Sequence, residues 1–302
     1  MDIKIKAIES PEDIIQVEEI QRQVWAGSET EVVPAHMLIG IVQHGGILIG
    51  AYVEDVHSEK CVGFVFGFPG MYYTPDGPRP MHCSHMLAVL PEYRDAGLGY
   101  KLKRAQWQMV RHQGLDRIVW TYDPLMSRNA YLNITKLGAV CNTYLRNVYG
   151  DMRDEINLGL ESDRFEVDWW VNTNRVNRRL SRRVRRPLTL EHYLKADVQI
   201  INPSQFNSEG LPCPTGILSN IIDNIKYEAS KEQPPVMFLV EVPSDFDALK
   251  NADKNLAIEW RDHTRQIFET LFESDYLVTD FVHSTGSESH SYYVLSYGMS
   301  TL

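Results

Sequence analysis

Between His85 and Gly99 an apolar run, His85-Met86-Leu87-Ala88-Val89, passes through Pro91 into Arg94-Asp95-Ala96-Gly97-Leu98-Gly99. These residue types in this order suit phosphate binding. A strand that feeds through glycine into a helix presents the free N–H groups of the first helical turn and the positive end of the helix dipole. Glycine also allows a pyrophosphate to approach the backbone closely. His85 adds a group that can exchange a proton near neutral pH, whereas His82 falls on the opposite side of an ideal strand and is the weaker candidate. The plainer alternatives are glycines that only close a turn and a His85 that is hydrogen-bonded for structure alone.

The helix that must follow the turn is read over 97–113. Leu98, Leu102, Ala105 and Met109 fall on one face, and Lys101, Lys103, Arg104 and Gln108 lie elsewhere around the cylinder. Before it come a strand at 2–8, helix 11–25 capped by Ser10 with Pro11 at its first position, helix 34–44, and strands 46–54, 61–68 and 82–90. After it come strand 117–122, helix 127–137, strand 139–149 and a last strand at 164–171. A dinucleotide fold would need Gly-x-Gly-x-x-Gly and an acidic residue closing the next strand, and a phosphate-loop NTPase would need Gly-Lys-Ser/Thr. The first small position here is Arg94, no third glycine follows, and Gly-Lys-Ser/Thr is absent.

Arg94-x-x-Gly97-x-Gly99, followed by the run from Ser127 to Ala139 with Lys136-Leu137-Gly138 near its end, resembles the GNAT superfamily of acyl-CoA N-acyltransferases. The resemblance covers residues 1–172. It implies an α/β fold, a mixed sheet of GNAT type, and direct acyl transfer from acetyl-CoA or a larger acyl-CoA, with no metal. It places the pantetheine arm along the backbone of Leu87, Ala88 and Val89. It places the pyrophosphate on Arg94, Asp95, Ala96, Gly97, Leu98 and Gly99. His85 becomes the candidate base, because His-x-Leu-Ala-Val resembles the corresponding strand of arylalkylamine N-acetyltransferases. The family's tyrosine acid, two residues before the lysine, is replaced by Ile134. Tyr131, one turn earlier, is the candidate acid with Asn133 adjacent, and Asn129 is a candidate cofactor contact. Packing on the helix surface is the competing role for both Asn129 and Tyr131.

The remaining features bound the function. The chain has 302 residues and a net charge of −10, which argues against a general nucleic-acid or anionic-membrane binder. Cys61, Cys83, Cys141 and Cys213 form no Cys-x-x-Cys pair, so neither a zinc site nor a disulfide framework is indicated, and a cytoplasmic protein is expected. Val32–Val53 carries no formal charge, yet Gly45-Gly46 splits it into a helix and a strand. The expected partner is a small-molecule amine or an amino acid, with no nucleic acid and no membrane, and with room for a homodimer. A non-catalytic acyl-CoA-binding protein and a protein N-acetyltransferase are the alternatives.

Residues 173–187 form an arginine-rich connector, read as a solvated link whose arginines pair with the chain's own carboxylates. Residues 188–302 form a smaller extension with a GNAT-like strand, helix, strand, strand order. Its strand is 236–242, one helix spans Ser244 to Glu273, and two strands follow at 276–283 and 291–297, joined by a turn at 286–289. On that helix Arg261 and Arg265 share a face. Either Asp262 and Glu269 neutralise them, or the extension folds over the acyl-CoA cleft and they hold a substrate carboxylate, of an amino acid or a succinyl group.

Overall fold

The computed structural model describes residues 3–25, 32–54, 59–150, 160–181, 187–284 and 289–298. Arg182, Arg183, Arg185 and Arg186 of the connector and the turn residues 286–288 lie outside the described residues. The chain divides into two compact units that interleave in sequence: residues 1–120 with 169–172, and residues 121–168 with 173–302.

In the first unit the order is β1 (Ile3–Ala7), α1 (Pro11–Val24), α2 (Ala35–Gln43), β2 (Ile47–Glu54), β3 (Glu59–Thr74), β4 (Gly77–Val89) and α3 (Leu98–His112), then the start of β5 (Arg117–Tyr122). The Ser10 hydroxyl caps α1 by accepting the Asp13 N–H at 3.1 Å. The uncharged segment splits as its glycines require: α2 stops at Gln43 and β2 begins at Ile47, with Gly45 at φ +94° between them. β1 to β4 form an antiparallel meander, and β4 runs parallel to β5. The hairpin of β3 and β4 extends well past the expected 61–68 and 82–90, because alternating residues continue to pair out to Thr74↔Gly77. α1 and α3 pack on this sheet, and Ile14, Val17, Leu98, Leu102 and Val110 of the helices and Phe64, Val65 and Ala88 of the strands are all buried.

The second unit contains α4 (Ser127–Ala130), which continues as a π-helical turn over Tyr131–Lys136, then β6 (Val140–Leu145) and most of β7 (Arg164–Trp170). These are followed by α5 (Asn174–Leu180), α6 (Leu190–Lys195), β8 (Gln199–Ile200), β9 (Ser204–Phe206), β10 (Pro212–Pro214), α7 (Leu218–Ala229) and β11 (Met237–Val242). The order ends with α8 (Phe246–Ala252), α9 (Lys254–Glu273), β12 (Tyr276–Ser284) and β13 (His290–Tyr297). Its sheet runs β7-β6-β12-β13-β11-β8. The aromatic centre is Phe165, Phe268, Phe281 and Tyr293, with ring centroids 4.8 to 5.4 Å apart along the contacts that link them.

The single helix expected over 244–273 is two helices. Asp253 (φ −146°, ψ 103°) leaves the helical region after α8, and its carboxylate accepts the Leu256 N–H at 3.0 Å, capping α9. The helix expected over 127–137 is likewise only partly α, since six of its residues form the π turn.

Candidate functional site

β4 has two different edges. On one side it pairs with β3 through Leu87↔Val65, Ala88↔Phe64 and Val89↔Gly63. On the other it meets β5 at His82↔Ile118 and Cys83↔Val119. Among the described residues that register stops at Cys83, although β4 continues to Val89. The two parallel strands therefore part, and the backbone of Ser84–Val89 faces the gap without a β5 partner. An edge of this kind accepts an added extended chain through N–H and C=O groups. The parting coincides with a bulge: the register steps from Phe66↔Met86 to Gly67↔Ser84, leaving His85 as the extra residue.

His85 is exposed. Its ring lies 5.7 Å from Phe68 and 6.3 Å from Phe66, and the desolvation this brings lowers its pKa below the ordinary value. The imidazole is thus neutral at neutral pH and able to accept a proton. His82, by contrast, is fully buried, and burial together with the nearby Lys103 charge pushes its pKa down to about 3.

The strand then enters a short 3₁₀ turn, Pro91–Ala96, and Gly97 at φ +69°, ψ 21° turns the chain into α3. That left-handed conformation is why glycine stands here. No side chain caps α3, so its first-turn N–H groups remain available to an anion. Arg94 folds back, its Nε donating to the Val89 carbonyl at 3.3 Å. Leu98 is fully buried, leaving only its backbone for a ligand. Leu87, Ala88 and Val89, and Arg94 through Gly99, thus lie on one continuous strand, turn and helix.

The buried face of α3 differs from the expected one. Met109 is exposed, whereas Lys103 and Gln106 are buried with Leu98, Leu102 and Val110. Lys103 Nζ donates to Ser84 Oγ at 2.7 Å and lies 3.6 Å from the Trp120 ring centroid. Ser84 Oγ donates to Gln106 Oε1 at 2.9 Å, and Gln106 Nε2 donates to His82 Nε2 at 3.1 Å. Burial holds the Lys103 pKa well below its ordinary value. Gly67 makes room for the His82 ring, since a Cβ there would sit 2.3 Å from His82 Nε2. This polar network lies where β4 and β5 part. The only sequence signal for it was a lysine and a glutamine three residues apart, which reads as a solvated face.

The other candidates lie in the second unit. Asn129 and Tyr131 are exposed, and Lys136 Nζ sits 5.2 Å from the Tyr131 ring centroid. Asn133 and Ile134 are buried. Arg261 is buried and grips Asp123 with two bonds, 2.8 and 2.6 Å. Burial alone would raise the Asp123 pKa, but the Arg261 charge and hydrogen bonds hold it below the ordinary carboxylate value. Arg265 pairs with Asp163 at 2.7 Å, with Glu161, and with Asp262 at 3.4 Å. Glu269 pairs with Arg146. The principal partners of the two arginines therefore come from 123 and 161–163, and not from Glu269. In the connector, Arg179 pairs with Asp280 at 2.7 Å and Arg175 donates to the Gly138 carbonyl at 2.9 Å.

No family model matches the chain, and no curated protein matches it. Solved structures do. An acetyltransferase of the GNAT family from Streptococcus pneumoniae is 14% identical over 55% of this chain and 98% of its own, with a TM-score of 0.42. The ribosomal-protein-S18-alanine N-acetyltransferase from Escherichia coli is 15% identical over 57% and 96%, with a TM-score of 0.43. Aminoglycoside 6'-acetyltransferase type Ii is 17% identical over 62% and 100%, with a TM-score of 0.42. The chain's own element order, with two helices after β1, three strands, the glycine turn into α3, β5, α4, β6 and β7, is the order that the sequence resemblance implies. A strand-helix-strand-strand extension, with its helical stretch broken in two, follows further along the chain. Among the described residues no helix is long and apolar enough to cross a membrane, and no cluster of three or more His, Cys, Asp or Glu side chains could hold a metal.

Proposed function

We propose that the chain is an acyl-CoA N-acyltransferase that moves an acetyl or larger acyl group to a small-molecule amine, an amino acid among the candidates. The observation that carries this reading is the edge of β4 from Ser84 to Val89, which among the described residues has no β5 partner and whose Val89 carbonyl accepts from Arg94, leading into left-handed Gly97 and the uncapped start of α3. A pantetheine arm added to that edge would bring its pyrophosphate to the helix N-terminus. In the reaction the amine nitrogen bonds to the thioester carbonyl carbon as the C–S bond breaks. The amine loses its proton to a base, for which His85 is suited, and the departing thiolate takes one up. Tyr131 is the side-chain candidate for the second step, with water as the other donor.

One feature favours a second reading. Ile134 is fully buried at the position of the family's acid, which suits a protein that binds acyl-CoA without turning it over. The test is a melting curve with acetyl-CoA, succinyl-CoA, NAD and ATP, followed by released thiol measured across a panel of amines and amino acids. An acyl-CoA-specific shift with thiol release supports the enzyme, and a shift with no release supports the binding protein. Equal shifts with all four compounds overturn both.

A further inference from the structure

The second unit contains a cavity of about 430 Å³ formed by its own residues. This is the size of a small-molecule site. Tyr131, Leu188, Phe281 and Val282 supply an apolar wall, and the charged or titratable groups on the lining are Arg128, His283 and the Tyr131 hydroxyl. Two of the hydroxyls around it are already engaged: Ser127 Oγ donates to the Pro243 carbonyl at 2.8 Å, and Thr135 Oγ1 to the Phe281 carbonyl at 2.7 Å.

His283 is held by a directed chain of hydrogen bonds. Ser244 Oγ lies 2.9 Å from the Ser289 carbonyl, which can only accept, so the single Ser244 hydrogen is spent there. The 3.1 Å contact between Ser244 and Ser291 must then use the Ser291 hydrogen. Ser291, fully buried, is left as an acceptor for His283 Nδ1 at 2.9 Å. Only this assignment makes all three bonds. It fixes the neutral imidazole as the Nδ1–H tautomer and leaves the Nε2 lone pair for a partner outside the chain of serines. We propose that this cavity binds a small molecule with an apolar body and an N–H or O–H donor, whose hydrogen His283 Nε2 accepts. The site is built within one unit and rests on His283, although Tyr131, the acid candidate of the acyl-transfer reading, also lines it.

The probes are phenethyl alcohol and ethylbenzene, the same body with and without the donor. Full-length protein labelled with ¹⁵N-histidine is studied by long-range ¹H–¹⁵N spectra at about pH 8, with His283 assigned through His283→Phe. The expected results are an Nδ1–H tautomer, a shift of Nε2 on adding the alcohol, and about ten-fold tighter binding of the alcohol than of ethylbenzene. His283→Phe is expected to remove that difference, and Ser291→Ala to release the tautomer preference while the fold is kept. An Nε2–H tautomer, equal affinities, no binding of either probe, or a difference that survives His283→Phe would overturn the proposal.

Discussion

Arg261→Ala should cost the protein stability. The guanidinium is buried, with its side chain 4% exposed, and both of its bonds go to Asp123. Removing it strands a carboxylate whose remaining partners are the Leu125 N–H at 2.9 Å and Arg164 at 3.9 Å. Breaking a buried pair by deleting one member costs about 3 to 5 kcal/mol. The two residual partners place this case near the lower end, about 3 kcal/mol, a large share of the roughly 5 to 15 kcal/mol typical of a folded domain. Urea unfolding at pH 7, followed by tryptophan fluorescence, measures it. Adding Asp123→Asn to Arg261→Met should recover at least half of the single-variant loss, because no uncompensated charge is then left behind. A loss below about 1 kcal/mol, or intact stability with a raised KM only for carboxylated substrates, would refute the structural account and return Arg261 to substrate binding.

Gly97→Val should cost about 1 to 2 kcal/mol and abolish the acetyl-CoA melting shift through backbone strain alone, since a Cβ at Gly97 meets nothing within 4 Å. Gly97→Asn, which tolerates φ > 0, should keep most of the shift, and full retention by the valine variant would show the motif misplaced. His85→Gln should lower kcat more than it raises KM and remove an ionisation below pH 6.5 from the rate profile, because desolvation lowers the His85 pKa; an unchanged profile would make His85 structural. His82 and His263, with pKa values pushed by burial to about 3 and about 4, refuse protons that the unfolded chain accepts below its ordinary 6.5. Stability should therefore be full above that pH and fall as pH drops through it, by up to about 1.4 kcal/mol per unit for each histidine. His263→Leu should flatten the melting temperature against pH in this range, and an unchanged slope would refute it.

The strand, turn and helix around Gly97 were legible because a left-handed residue and a 3.6-residue period leave local marks. The break at Asp253 was marked too, by an aspartate at a helix start, but the apolar period runs through it and masks the change. The burial of Lys103 and Gln106 left no such mark. Polar residues read outward unless their partners are known, and Ser84 and His82 lie about twenty positions away on a strand. Arg261 and Asp123 are 138 residues apart, beyond any local pattern. β8, β9 and β10 are two or three residues long, too short to show a period. Neither the bulge at His85 nor the early parting of β4 from β5 has a signature in residue type, since both are matters of register.

The interleaving of the two units bears on how the chain is made. β6 and β7 leave the ribosome more than a hundred residues before β12, the strand that pairs β6 through Val278↔Cys141, and before Phe268, which packs on Phe165. At about 5 to 20 residues per second, the nascent chain carries an open strand edge and an uncovered phenylalanine for some seconds before its partners exist. Asp123 waits as long for Arg261. Synthesis that stalled in the stretch between would leave a sticky intermediate in place of a finished half, so the pace of translation there, and chaperone access to it, should govern the yield of soluble protein.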